Sequence, residues 1–206
     1  MSVDLDRAAD VRPTRPHGQV TRRRILDAAI DCLVEEGYAG TTTVAITARL
    51  GISRGRLLHH FPSRDELLVA AVAHLADARF AAVLEQVGAT GTDGQRIDAA
   101  IEAMWESMQG PLFIAATELW VAARSHPELR AVLQPAEREL GRQFRAGWRE
   151  VFGPLGGHPR FSEVLDLLSD SMRGVALTHN FDRDHARRRD AARLASWKRL
   201  AREMLQ

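Results

Sequence analysis

Apolar residues recur at three- and four-residue steps along most of this chain, the period of amphipathic helices, and beyond Phe61 every segment reads as helical. A first stripe, Ile25, Ala29, Cys32 and Leu33, predicts a helix that ends at Glu36-Gly37-Tyr38. A second, Thr43, Ile46, Thr47 and Leu50, predicts a short helix capped by Thr42 and stopped by Gly51, a residue that enters the left-handed region without a Cβ penalty. Ser53 caps a third helix, whose Leu57 and Phe61 seal the corner together with Ile52. After Pro62, the pair Ser63 and Glu66 predicts a capping box opening a long helix to about Val87, with the face Leu67, Leu68, Ala71, Val72, Leu75, Ala78, Ala82 and Val83.

The rest follows the same grammar. Glycines predict a loop over 88–94, and Ile97, Ile101, Met104, Trp105 and Met108 mark a fifth helix stopped by Gly110-Pro111. A sixth spans Leu112 to about Arg124. The seventh runs from Pro127 to Phe152 with a kink expected at Pro135, where the ring removes a backbone donor. A loop over 153–159 precedes two last helices, about Arg160–Asn180 and Asp184–Leu205. The expected class is all-α with about nine helices: a disordered arm at 1–18, a three-helix helix-turn-helix at 19–64, and a larger helical domain at 65–206.

Charge sharpens the picture. The chain has 206 residues and a net charge of only +1, yet between Gly37 and Arg64 it carries Arg49, Arg54, Arg56 and Arg64 and no acid. The third helix presents Arg54, Gly55, Arg56, Leu58, His59 and His60 outward, a basic and polar surface suited to the salt-sensitive attraction of phosphates. Adjacent His59 and His60 point roughly 100° apart on a helix and do not share a metal ion. The string Gly51-Ile52-Ser53-Arg54-Gly55 spells a nucleophile elbow, but that motif works only between a strand and a helix, so Ser53 is read as a cap. No metal, cofactor or catalytic residue is expected.

The lone Cys32 permits no intramolecular disulfide, which suits a cytoplasmic setting. With neither an uninterrupted apolar span nor a hydrophobic leader, no membrane partner is expected. Arg7, Arg12 and Arg15, with Arg22 to Arg24, form either a solvated tail or an arm reaching an adjacent minor groove.

Residues 21–68, with Glu36-Gly37-Tyr38, the Thr42 to Gly51 segment, Ser53-Arg54-Gly55-x-Leu57 and His60-Phe61-Pro62-Ser63-Arg64 leading to Leu67, resemble the DNA-binding domain of the TetR family of bacterial transcriptional regulators. The resemblance implies a homodimeric DNA-binding regulator, usually a repressor released from a palindromic operator by a small-molecule effector. Thr42, Ser53, Arg54, His60 and Arg64 resemble the family's phosphate-contacting set, beside Thr43 in the same segment, while Gly55, Arg56 and His59 lie nearest to base edges. Leu58 stands where many members have tyrosine, which replaces a hydroxyl by a group suited to a thymine methyl. Thr47 stands where alanine is usual. The resemblance also implies that the last two helices pair with their copies as a four-helix bundle, with Leu165, Leu168, Met172, Val175, Leu194, Trp197, Leu200 and Met204 at the dimer interface.

Trp105, Met108, Phe113, Thr117, Trp120, Phe144, Trp148, Met172 and Arg173 fall in segments that converge on one interior. They either line a pocket for a hydrophobic or aromatic effector or fill a core, and both readings stay open. A small all-helical enzyme would draw on Glu118, Arg124, His126 and His179; a protein-interaction module would show no salt-dependent DNA affinity.

Overall fold

The computed structural model describes residues 16–87, 92–179 and 183–205. These form nine helices and no strand: α1 (Pro16–Gly40), α2 (Thr43–Leu50), α3 (Arg54–His60), α4 (Arg64–Val87), α5 (Asp93–Ser107), α6 (Pro111–Ala123), α7 (Pro127–Val151), α8 (Phe161–His179) and α9 (Arg183–Leu205). The expected arm at 1–18 lies outside the described residues except for its end, which already belongs to α1.

Local chemistry sets the first corner. Thr42 Oγ1 accepts from the Ala45 amide at 3.1 Å, Gly51 stands at φ 64° and closes α2, and Ser53 Oγ accepts from the Arg56 amide at 3.2 Å. α1 leaves helical geometry at Gly37, φ 68°, and the turn that follows brings the buried Thr41 hydroxyl onto the Gly37 carbonyl at 2.7 Å. Ser63 Oγ accepts from the Glu66 amide at the start of α4. A complete capping box stands elsewhere, at Thr92 and Gln95 on α5. α7 passes through Pro135 as one helix, and the expected loop after it contains a single 3₁₀ turn, Gly153–Gly157.

Two cores share α4. The first joins α1 to α3 with the opening half of α4 and, from the larger domain, Ala115, Leu119, Leu129 and Leu133 of α6 and α7. The second gathers α5, the end of α7, α8 and α9 around Trp105, Trp148, Phe152 and Met172, with Phe80, Val83 and Leu84 of α4 packed against it. The helix-turn-helix core therefore does not stop at Arg64. By length and composition α4 is apolar enough to cross a membrane, with a mean hydropathy of 1.8 over an 18-residue window within Arg64–Glu85; in the fold α1, α5, α6 and α7 pack against it. Its inward face follows the expected one through Leu75 and again at Val83, but Ala78 and Ala82 are exposed while Phe80 and Leu84 turn in.

α4 meets α7 at Gly147, where a Cβ would run into the Phe80 ring. Gly147→Ala is expected to force that ring aside at a cost of about 1–3 kcal/mol, the usual penalty of overpacking, read by urea unfolding.

Candidate nucleic-acid interface and effector cavity

The surface of α2 and α3 assembles most of the residues expected to meet DNA. Thr42, Ser53, Arg54, Gly55, Arg56, Leu58 and His59 are exposed, and Thr43 and His60 half-buried. Space around Gly55 is open, so backbone or base can approach closely there. Arg56 Nη2 donates to Thr21 Oγ1 at 3.1 Å, tying α3 to α1. Arg22 of α1 lies over the Phe61 ring at 4.9 Å, beside an exposed Arg23 and Arg24. Burial, helped by the positive charges of His59, Arg56 and Arg22, pushes His60 below the ordinary histidine value. Sequence reasoning passed over Val44 of α2, an apolar side chain that is 69% exposed.

Two of the four arginines counted toward the local charge are engaged elsewhere. Arg49 makes a two-pronged contact with Glu35 at 2.7 and 2.8 Å and donates to Cys32 Sγ, and the Glu35 bond raises its pKa further. Arg64, expected on the phosphate-contacting surface, turns inward: its guanidinium lies 4.1 Å from the Tyr38 ring centroid and donates to the Tyr38 carbonyl. The carbonyl at the Gly37 break leaves an acceptor that a planar cation over the ring satisfies, and this outcompetes solvent. Arg56→Ala is expected to relax base preference at one or two operator positions by roughly 1–3 kcal/mol, whereas Arg64→Ala should lower thermal stability and leave the salt dependence of DNA binding unchanged. Anisotropy titrations at two salt concentrations, beside a melting curve, check both.

Tyr38 is a junction that the sequence did not reveal. Its amide donates to Glu118 Oε2 of α6 at 3.1 Å, its hydroxyl to Asp65 Oδ1 of α4 at 3.0 Å, and its ring meets His126 edge-on at 5.1 Å. Burial, then the bond to Asp65, raises the phenol's pKa. Gly37 is what lets Glu118 in: a Cβ there would stand 2.9 Å from Oε2. The signal was the single acid in the apolar run of α6. Of the four groups considered for an enzyme, Glu118 and His126 thus meet at Tyr38, while Arg124 is exposed and His179 packs against Trp105 beside Asp190, at 3.2 Å.

Behind this junction lies a cavity of about 790 Å³. Met108, Phe113, Trp120, Phe144, Trp148 and Arg173 line it, six of the nine residues expected to converge. Trp105 does not: it is buried in the second core between His179 and Trp197, each 5.1 Å away. Met172 is likewise fully buried in that core, and Thr117 is not among the lining residues. The sequence missed α4, which supplies Phe80, Val83, Leu84, Asp77 and Arg79. Arg145 pairs with Asp166 at 2.8 Å and Arg173 with Asp170 at 3.1 Å, so two of the lining acids are compensated.

The residues expected at a dimer interface mostly face their own subunit. Leu165, Leu168, Met172 and Trp197 are buried in the second core, and Val175, Leu194 and Met204 pack against it. Only Leu200, 37% exposed, points outward. The largest apolar side chains of α8 and α9 are drawn to the intramolecular core, where each buried methylene is stabilising by about 0.8 kcal/mol. What they leave outside is a thinner stripe, with Leu167 50% and Leu177 40% exposed on α8.

Comparison with known proteins agrees with this geometry. A family model described as bacterial regulatory proteins, tetR family, matches residues 25–71. An uncharacterized HTH-type transcriptional regulator of Mycobacterium tuberculosis is 28% identical over 171 residues, 81% of this chain and 86% of its own length. Among solved structures, a transcriptional regulator from Rhodococcus superposes with a TM-score of 0.67 at 22% identity, over 90% of this chain and 95% of its own. A putative regulator from Saccharomonospora viridis, in complex with choline, does so with a TM-score of 0.65 at 18% identity, over 87% of this chain and 95% of its own.

Proposed function

Since the chain belongs to the tetR family of bacterial regulatory proteins and is a DNA-binding transcriptional regulator, we propose that it acts as a repressor released by a small apolar or aromatic effector. Two copies present their α3 helices to successive major grooves, roughly 34 Å apart, and so read a near-palindromic operator. Thr42, Ser53, Arg54 and His60 hold the phosphates, with Thr43 beside them, and Gly55, Arg56, Leu58 and His59 face base edges. The subunits join through the outward stripe of α8 and α9, Leu167, Leu177 and Leu200, rather than through the buried leucines.

The observation that carries this reading is the double duty of α6. One side of the helix contributes Leu112, Phe113, Ala116 and Trp120 to the cavity, and Glu118 on the same helix holds the Tyr38 amide at the end of α1. A molecule that fills the cavity displaces α6, and α6 displaces the helix-turn-helix. Induction is then a population shift limited by the effector's differential affinity for the two arrangements, with no chemistry. A protein of the same fold in complex with choline supports a small-molecule effector.

The test is retardation of the DNA upstream of the chain's own gene, with and without a panel of apolar and aromatic metabolites. A salt-sensitive shift that a panel member reverses supports the reading; no shift at low ionic strength overturns it.

A further inference from the structure

We infer that the effector is an amphiphile with an anionic head, its apolar body in the aromatic cavity and its carboxylate or phosphate between α6 and α7. The inference rests on the aromatic cavity being the effector site. A second hollow, of about 430 Å³, opens between the end of α6 and the first half of α7, and Trp120 and Glu137 belong to the walls of both. The two spaces therefore abut at a tryptophan, whose ring already carries the Arg173 guanidinium at 5.5 Å on the aromatic side.

The second hollow differs in charge. Arg124, Arg130 and Arg138 line it against the single acid Glu137, which leaves three minus one, or +2, within a chain whose total is +1. None of the three arginines has an ion-pair partner among the described residues. In the same helical domain Arg142, Arg145, Arg160, Arg173 and Arg202 each hold a carboxylate. Planar guanidinium forks match carboxylate and phosphate oxygens in pairs, and a cluster of them over a concavity is a receptor for such a group. The aromatic cavity, by contrast, contains uncompensated Asp77 and Glu137 against Arg79, and offers an anion no comparable seat. An amphiphile satisfies both chemistries at once, tail against Phe and Trp rings, head over the arginines.

The location adds a consequence. Arg124 stands two residues before His126, whose ring packs on Tyr38, so the head would bind where α6 passes into the linker that touches the helix-turn-helix.

Calorimetric titration of the full chain with decanoate, decyl phosphate, decanol and decyltrimethylammonium tests the inference. One or both anions should bind about tenfold or more tighter than decanol, the worth of a charge-assisted contact, and the pair of anions separates carboxylate from phosphate recognition. Substituting R124A, R130A and R138A together should abolish that preference while leaving decanol affinity unchanged, and Arg142→Ala should change neither. Equal affinity for anion and alcohol, or preference for the ammonium, overturns the anionic head while leaving the cavity as the effector site. Failure of all four probes to bind removes the cavity reading, and the inference with it.

Discussion

Leu167→Glu with Leu177→Glu is expected to yield folded monomers and to lower operator affinity by about 10²–10⁴-fold, the contribution that tethering two weak heads makes to their joint binding. Both leucines are exposed on α8, 50% and 40%, so a charge there costs the subunit little, since surface substitutions away from packed contacts usually stay within about 0.5 kcal/mol. Between them Ser171 and Gly174 are also exposed, and space around Gly174 is open, so a partner helix can approach the backbone closely. Four apolar-striped helices, two from each copy, then bury what each leaves bare. Leu168→Glu provides the contrast: Leu168 is 0% exposed, and a carboxylate there should unfold the second core rather than separate two folded chains. Sedimentation equilibrium with unfolding curves distinguishes the outcomes. A Leu167/Leu177 variant that stays dimeric places the interface elsewhere.

What was legible in the sequence was what short-range chemistry decides. Thr42, Gly51 and Ser53 specify the α2 to α3 corner through bonds to amides three residues on or a single left-handed residue, and the structure forms each of them. Where two faces of one helix are both apolar, periodicity does not say which meets its own core; on α8 the larger side chains, expected at an interface, went inside. On α4 the alanines blur the stripe, so Phe80 and its cavity wall were missed. Arg64 looked like a phosphate contact because charge can be counted along a sequence, whereas its partner, a carbonyl 26 residues earlier, depends on a break at Gly37. Glu118 and His126 were noticed only as scattered titratable groups. Their common partner Tyr38 is brought to them by α1, α4 and α6 meeting in space, 80 residues apart in the case of Glu118.

Glu118→Ala is accordingly expected to separate DNA binding from effector response. Wild-type operator affinity should fall on effector binding by something in the range of about 5–150-fold, the usual size of a coupling free energy between two sites. In the alanine variant that ratio should approach one while affinity for DNA in the absence of effector stays within a few-fold, because Glu118 belongs to α6 and bonds the helix-turn-helix at the Tyr38 amide, at the end of α1 rather than on α2 or α3. Stability should drop by about 1–3 kcal/mol, since Tyr38 is only 8% exposed and its N–H loses an acceptor that water does not readily replace. Glu118→Gln keeps an acceptor oxygen at the same reach and should restore most of the stability and part of the response. Titrating operator DNA with and without the bound effector, alongside urea unfolding, gives all four quantities for each variant. Full release of DNA from the alanine variant would mean that the signal leaves the cavity through packed faces, α4 by way of Phe80 and Val72 or α6 by way of Ala115 and Leu119, and that the Tyr38 junction only fastens the two parts together.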